Sequence, residues 1–157
     1  MHTHLPHAHP ARCRQRGAAI VEFALVAMVF LTLLIGVMEF GRWLFTLNAA
    51  GEATRLGARL AVVCSNASAD TANIKTRMRG ILSSVTDAQI SIQYNPSAGC
   101  NTDWTATTNR CESVTVQLSG ATFTPFIPFL GDTYAIPPFT TTLQRELMSS
   151  AGNPVCP

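Results

Sequence analysis

The stretch from Ala18 to Phe40 constrains this chain more than any other feature of its sequence. It is apolar except for Glu22 near its start, Glu39 near its end and the hydroxyl group of Thr32. At about 1.5 Å per residue, a helix of this length is roughly 35 Å long, which is enough to cross a hydrocarbon core of about 30 Å. The sequence therefore predicts one transmembrane helix, from which the remainder of the chain hangs as a small polar module.

Basic residues are distributed unevenly around this stretch. Arg12, Arg14 and Arg16 precede it without any acid, whereas the other eight Lys and Arg residues stand with all nine acids in residues 18–157. Cations before the first span hold that side in the cytoplasm. We therefore expect a single-pass inner-membrane protein with a cytoplasmic N-terminus and a periplasmic or extracellular C-terminal module. The near-neutral charge of that module argues against nucleic acid as a partner.

The cysteines agree with this topology. Cys13 lies on the predicted cytoplasmic side, and four cysteines lie on the outer side, where an oxidising compartment favours pairing. Of the three possible pairings we favour Cys100 with Cys111, which closes a short loop, and Cys64 with Cys156, which ties the C-terminal tail to the end of the helix. Free buried thiols are the alternative.

The helical pattern continues beyond Phe40 to Val63. Apolar residues recur at spacings of three and four, and polar residues occupy the opposite face. The apolar stripe is Phe45, Ala49, Ala53, Leu56, Leu60 and Val63, and the polar stripe is Asn48, Glu52, Arg55 and Arg59. An unbroken helix from Ala18 to Val63 would be roughly 70 Å long, spanning the membrane with its first half and cradling a globular head with its second.

Small residues repeat every fourth position in the second half of this helix, at Ala49, Ala53, Gly57 and Ala61. Small residues at this spacing let another backbone approach closely, so we assign the four to helix packing. Gly51 and Gly57 weaken a helix by up to about 1 kcal/mol each, so a break there remains open. Trp43, just after the apolar stretch, is placed to act as an anchor at the membrane interface.

The rest of the chain predicts a minimal α+β head. Asp70–Val85 is expected to be a second helix capped by Asp70, and two alternating segments, 88–94 and 111–119, are expected to form an antiparallel strand pair. A third strand is expected over 140–148. The apolar segment 123–131 contains two prolines and cannot be an interior strand, so it is either a cover for the core or an exposed contact patch.

The predicted fold class is thus α+β: a long N-terminal α-helix, transmembrane in its first half and amphipathic in its second, with a small disulfide-bonded head containing an antiparallel sheet. The predicted domains are a leader at 1–17, the transmembrane helix at 18–40, its amphipathic continuation at 41–64 and the head at 65–157.

Catalytic and metal-binding patterns are missing from the outer module. All four histidines, His2, His4, His7 and His9, precede the span in a proline-interrupted tract that favours a disordered leader over a metal site. The acids beyond residue 64 are scattered, and no phosphate-binding glycine loop occurs. We therefore expect no enzyme activity, no metal and no cofactor.

Glu22 lies where a carboxylate is costly, on the order of 2.5–3.5 kcal/mol at a bilayer centre and less near an interface. The positive end of the helix dipole offers partial compensation. A cut after Gly17 would offer more, because Ala18 would gain a free amine one helical turn from Glu22. That amine, in the same or a neighbouring subunit, could neutralise the acid. The plainer alternative is an interfacial Glu that helps to start the helix.

Several motifs of the N-terminal third resemble the TadE-like family, the minor pseudopilins of the tight-adherence (Tad/Flp, type IVb-like) pilus apparatus. The resemblance rests on Arg16-Gly17, on the run from Val21 to Leu25, on Gly36, on Glu39-Phe40-Gly41-Arg42, and on Ala53, Arg55 and Gly57-Ala58-Arg59. It implies cleavage after Gly17 by a prepilin peptidase, with Ala18 as the mature N-terminus. Glu22 then matches the acid at the fifth mature position that pairs with an N-terminal amine during subunit addition.

The resemblance also implies partners: other pilins and pseudopilins, and the inner-membrane assembly platform, engaged through the N-terminal helix. The competing hypothesis is a permanently anchored envelope protein whose head binds a ligand or partner. An exported protein with a removable Sec-type signal is disfavoured by the length of the apolar core. A membrane-tethered enzyme would require a catalytic cluster that the sequence does not offer.

Overall fold

A computed structural model describes residues 15–96, 99–103, 105–127, 131, 133–145 and 148–156, with side chains from Gly17 onward. Most of the predicted leader, together with Cys13 and Trp104, lies outside the described residues. The chain divides into two compact units, Met1–Phe40 and Gly41–Pro157.

The long helix α1 runs from Gln15 to Val63 without a break. It therefore passes through Gly51 and Gly57, the two positions at which an interruption remained open. It begins three residues before the predicted start and ends at the predicted residue. The cost of two glycines within it is small beside the packing of its second half, described below.

Helix α2 spans Ser68–Ile81, which is shorter than the predicted 70–85. The predicted cap at Asp70 is wrong, because Ala67 occupies the N-cap without a side-chain hydrogen bond. The Asp70 carboxylate instead accepts hydrogen bonds from the backbone N–H of Ser65 at 3.1 Å and from its hydroxyl group at 2.6 Å. Asp70 therefore fixes the turn between α1 and α2 rather than the first turn of α2.

The main sheet has three antiparallel strands in the order β1-β2-β5: Ile90–Asn95, Ser113–Leu118 and Phe139–Gln144. Ile92 pairs with Val116 across β1 and β2, and Val114 pairs with Leu143 across β2 and β5. The antiparallel pair predicted for the first two strands is confirmed. A short 3₁₀ helix, Asp87–Gln89, occupies the predicted beginning of β1.

Two very short strands, β3 at Thr122–Phe123 and β4 at Tyr134–Ala135, form a separate antiparallel pair. Pro125 follows β3 closely, in keeping with the expectation that this apolar segment is not an interior strand. Phe123 is 8% exposed, whereas Phe126 is 86% exposed. Phe123 therefore covers the core, Phe126 is exposed, and a contact role for the exposed part stays a prediction; residues 128–130 lie outside the described part.

The core of the head contains residues from the second half of α1, from α2 and from the strands. Its fully buried members include Ala50, Ala58, Ile74, Met78, Val114, Val116 and Leu118. The predicted polar stripe of α1 is exposed as expected. Phe45 is the exception in the predicted apolar stripe, since it is 73% exposed. The buried face passes instead through Trp43 and Leu47, which pack against the core.

Candidate functional site

The apolar segment of α1 presents large hydrophobic side chains on all sides. One helix among the described residues is long and apolar enough to cross a membrane by length and composition, and none of its most apolar window is buried. Its exposed side chains include Ile20, Phe23, Leu25, Met28, Phe30, Leu33 and Val37. A helix that is hydrophobic all round needs an apolar environment, which a lipid bilayer or neighbouring helices supply.

Glu22 lies in this apolar surface with an exposed side chain, one turn after Gly17 and Ala18, which are also exposed. Among the described residues, and apart from its chain neighbours and the adjacent helix backbone, nothing lies within 4 Å of a Cβ built on Gly17. Glu22 lies four residues beyond Ala18 on this surface. A carboxylate in this setting is stabilised by a nearby cation in an apolar medium. The second acid, Glu39, is buried.

The four small residues assigned to helix packing are all buried within the head. Ala49, Ala53 and Ala61 are 8%, 1% and 0% exposed, and a Cβ built on Gly57 would lie 2.5 Å from the Sδ atom of Met78. The side chain of Met78, from α2, therefore occupies the space beside Gly57. Between Ala53 and Gly57, the buried hydroxyl of Thr54 donates to the carbonyl oxygen of Gly51 at 2.8 Å and accepts from Thr141 at 3.2 Å.

Arg145, directly after β5, connects the sheet to the C-terminal end of α1. Its guanidinium group donates to the carbonyl oxygen of Cys64 at 3.0 Å, to that of Ala61 at 3.5 Å and to that of Thr102 at 2.9 Å. It also lies over the ring of Tyr94, 5.7 Å from the ring centroid. A cation is favourable here because the last carbonyl groups of a helix are unpaired and carry partial negative charge.

Tyr94 completes this junction from β1. Its hydroxyl group donates to the carbonyl oxygen of Ser65 at 3.1 Å. Burial raises the pKa of Tyr94 to about 12, although nearby Arg145 opposes the shift and Asp70 adds to it. The pKa of Arg145 is lowered by burial, with Tyr94 opposing that shift. The sequence analysis predicts neither the role of Tyr94 nor that of Arg145 at the end of α1. The available indication of Arg145 was a cation that directly follows a Thr-rich strand.

Two disulfides brace the head, and they are the two pairs that the sequence favours. Cys64 is joined to Cys156 and Cys100 to Cys111, with Cα–Cα distances of 5.5 and 5.0 Å. The first brings the C-terminal tail to the end of α1, where Asn73 of α2 also donates to the carbonyl oxygen of Val155 at 3.0 Å. The end of α1 is therefore held by the disulfide to the C-terminal tail, by the hydrogen bond from Arg145 to Cys64 and by the hydrogen bond from Tyr94 to Ser65.

The loop closed by Cys100–Cys111 is organised by short-range hydrogen bonds. The Asp103 carboxylate accepts from the backbone N–H of Thr105 at 2.9 Å and from its hydroxyl group at 2.8 Å. These two hydrogen bonds lower the pKa of Asp103, and the bond from the backbone N–H has the larger effect. The Asn101 side-chain oxygen accepts from the N–H of Asp103 at 2.8 Å. This pattern orders the loop with its own polar groups.

Within the described residues, no group of three or more His, Cys, Asp or Glu side chains is placed to hold a metal ion. A cleft of about 500 Å³ beside β2 and β5 is lined by one acid, Glu112, and by two cations, Arg110 and Arg145, among the described residues. One carboxylate beside two arginines provides neither a nucleophile with its base nor an acid–base pair. The features that stand out are therefore an apolar helical segment bearing one exposed acid, Glu22, and a head whose sheet and C-terminal tail are bonded to the end of α1.

Comparison with known proteins gives one family match. Residues 17–59 match the family model described as TadE-like protein, which confirms the resemblance over that segment. The match includes the apolar stretch, Glu22 and most of the small-residue repeat. No curated protein and no solved structure matches the chain.

Proposed function

From the TadE-like match over residues 17–59, we propose that this protein is a minor pseudopilin, a structural subunit in the assembly of Tad (type IVb-like) pili. The family indicates a pilus-associated protein that is structural rather than enzymatic. In the finer proposal, a prepilin peptidase cuts after Gly17 and Ala18 becomes the mature N-terminus. The subunit then leaves the inner membrane sideways to join neighbouring pilins and pseudopilins at the assembly platform.

The observation that carries this proposal is the exposed apolar surface of Ala18–Phe40 with Glu22 at its start. Large apolar side chains cover this segment, so its burial is favourable both in lipid and against the helices of neighbouring subunits. Glu22 makes sister helices the better environment once an N-terminal amine is available, since the ion pair offsets the cost of the charge. The mature amine of Ala18 supplies that cation within the assembly.

The small residues from Ala49 to Ala61 support different roles for the two halves of α1. They are buried beneath the chain's own head, with Gly57 against Met78. Subunit association through the helix is therefore proposed for residues 18–40, while residues 41–63 carry the head. The head is proposed to lie outside the inner membrane, since its two disulfides suit an oxidising compartment.

The test is replacement of Glu22 in the native cell, with pili measured in the sheared fraction. We expect Glu22→Ala and Glu22→Gln to reduce piliation strongly, on the order of tenfold, because an uncompensated amine remains in the assembly. Glu52→Ala is the matched control, an exposed acid on the polar stripe of the same helix. A permanently anchored envelope protein predicts normal piliation with all three variants, and that result would overturn the proposal.

A further inference from the structure

Strand β1 is an edge strand of the main sheet and, among the described residues, pairs only with β2. At one end of β1, the carbonyl oxygen of Gln89 accepts from the N–H of Ser119 at 3.0 Å. At the other end, the carbonyl oxygen of Asn95 accepts from the N–H of Glu112 at 2.8 Å. Because hydrogen-bonded residues alternate along an antiparallel strand, every second residue from Gln89 to Asn95 bonds to β2. The N–H and C=O groups of Ile92 therefore point to the opposite, unpaired edge.

Two clefts, of about 400 and about 390 Å³, lie along this unpaired edge. Residues of β1 line both of them, whereas no residue of β2 lines either, so both lie on the side of β1 that faces away from β2. Ile92 of β1 and Thr71 of α2 line both clefts, which therefore adjoin each other. Together they form the β1 groove, which is lined by Asn66, Thr71, Lys75, Asp87, Ala88 and residues 90–96.

The main-chain groups of the edge determine which class of ligand the β1 groove can take. An unpaired strand edge is a template for another strand, because its N–H and C=O groups repeat every second residue, about every 7 Å. An extended polypeptide presents the complementary groups at the same repeat, so it can satisfy several of them at once. Thr71 and Lys75 of α2 form the other wall of the groove.

The charges in the groove are unbalanced at one end. The carboxylate of Asp87 is paired with the guanidinium group of Arg79 at 3.2 Å. The Nζ atom of Lys75 instead donates to a neutral group, the backbone carbonyl oxygen of Asp87, at 3.1 Å. At the other end the side chains are uncharged, among them Asn66 and Gln93. A carboxylate brought by the ligand would therefore be favourable beside Lys75.

We propose that the β1 groove binds an extended segment of a partner polypeptide, which adds to the sheet as a strand beside β1 and places an acidic side chain near Lys75. Main-chain hydrogen bonds at Ile92 contribute affinity, and the side chains of alternate residues of the segment contribute specificity. The site lies wholly within the second compact unit, Gly41–Pro157. It goes beyond the proposed function and is independent of leader cleavage and of the N-terminal helix.

An isolated extended segment fits the β1 groove better than the sheet of a second copy of the chain. The other edge of the main sheet is β5, which would be the strand that a second copy offers. The hydroxyl group of Thr141 in β5 donates to that of Thr54 at 3.2 Å, and the ring of Phe139 lies 3.8 Å from a Cβ built on Gly51. Helix α1 therefore packs directly against β5. It would accompany β5 into a groove that already has α2 as one wall, whereas an isolated segment brings no helix.

Selection from a phage-displayed library of random linear peptides, against the full chain in detergent, tests the proposal. The Kd of each enriched peptide is then measured for the native chain and for Thr71→Arg, Thr76→Arg and Lys75→Gln, after circular dichroism has shown that each variant folds. Thr71 lines both clefts, so a long side chain there obstructs the groove. Thr76→Arg is the matched control. Thr76 lines neither cleft, lies on the same helix and, like Thr71, donates its hydroxyl group to the carbonyl oxygen four residues earlier.

A second measurement uses only the native chain and so does not depend on the folding of any variant. Each enriched peptide is resynthesised with one backbone nitrogen methylated at a time. We expect methylation of alternate residues to abolish binding and methylation of the residues between them to be tolerated, because only every second N–H of an added strand faces β1.

We expect Thr71→Arg to weaken peptide binding by about tenfold or more and Thr76→Arg to leave it unchanged. Lys75→Gln should weaken it by about threefold or more, because the peptide carboxylate loses its cation. The proposal is overturned if no peptide is enriched, if the two Thr variants bind equally, if Lys75→Gln has no effect or if methylation shows no alternation. A dimer of the full chain that Thr71→Arg dissociates would assign the groove to a second copy and would also overturn it.

Discussion

The guanidinium group of Arg145 donates a hydrogen bond to the carbonyl oxygen of Cys64, the first residue beyond helix α1, at a distance of 3.0 Å. Cys64 is at the same time bonded through sulfur to Cys156. The end of the long helix is therefore fixed to the last strand and to the C-terminal tail at one residue. Arg145 and Cys156 therefore hold the same residue, one by a hydrogen bond and the other by a covalent bond.

Removal of the Arg145 guanidinium group is expected to destabilise the head. Arg145→Ala leaves the carbonyl oxygens of Cys64 and Thr102 without their charged donor, so we expect the free energy of unfolding to fall by about 2–3 kcal/mol. Arg77→Ala, on the exposed side of α2, should change it by less than about 0.5 kcal/mol. Thermal unfolding of the full chain in detergent, followed by near-ultraviolet circular dichroism, measures both. Equal stability of the two variants would contradict the role given to Arg145.

A larger side chain at Gly57 is expected to disrupt the packing of α1 against α2. A Cβ there already meets Met78 at 2.5 Å, and Met78 is 1% exposed, so Gly57→Leu should cost about 2 kcal/mol or more despite the better helix propensity of Leu. Gly80→Ala is the matched control, since a Cβ at Gly80 meets nothing within 4 Å. It should raise stability by up to about 1 kcal/mol. Full stability of the Leu variant would show that α2 does not pack here.

The two disulfides should contribute unequally. The Cys64–Cys156 bond joins residues 92 positions apart, and the Cys100–Cys111 bond joins residues 11 positions apart. In the chain-entropy description, these separations correspond to about 4–5 and about 3 kcal/mol. Replacing each pair by serines, one pair at a time, should therefore give the less stable protein for the Cys64/Cys156 pair. Denaturant unfolding under non-reducing conditions gives the comparison, and the reverse order would count against the tail as a staple of the helix end.

Burial of Tyr94 predicts a loss of stability at high pH. Its pKa of about 12 in the folded state lies above the ordinary value of 10.0, so the contribution is fully present below about pH 10. As the pH rises from 10 toward 12, the unfolded chain releases this proton first and stability falls. The difference in unfolding free energy between the native chain and Tyr94→Phe should therefore shrink from pH 9 to pH 11. A difference that is constant over this range would contradict the buried, protonated phenol.

The sequence predicts the elements that depend on local pattern. The length of α1, the antiparallel pairing of β1 with β2 and the exposed polar stripe from Asn48 to Arg59 all follow from periodicity and are present in the structure. The pairing order of the strands and the face of α1 beneath the head depend on tertiary contacts. Phe45 shows the limit, since it satisfies the helical period but lies off the buried face.

The contacts that hold the head to the end of α1 could not be predicted from the sequence, because they also depend on tertiary structure. Asp70 looked like a helix cap because Asp is common at that position, yet its partner is Ser65, on the other side of the turn. Arg145 and Tyr94 lie 81 and 29 residues in sequence from the residues at the end of α1 that they contact, and no local sequence pattern indicates such contacts. The small-residue repeat indicated close packing, but only the structure identifies Met78 as the neighbour of Gly57.

The N-terminus of the mature protein is the most direct test of the account. The protein is isolated from cells that contain an active prepilin peptidase and from cells that lack it, and its intact mass and N-terminal sequence are determined. We predict a chain beginning Ala18-Ala19-Ile20 in the first case and retention of residues 1–17 in the second. Retention of residues 1–17 in cells whose peptidase has processed its other substrates would contradict the account, as would a first residue beyond Ala18.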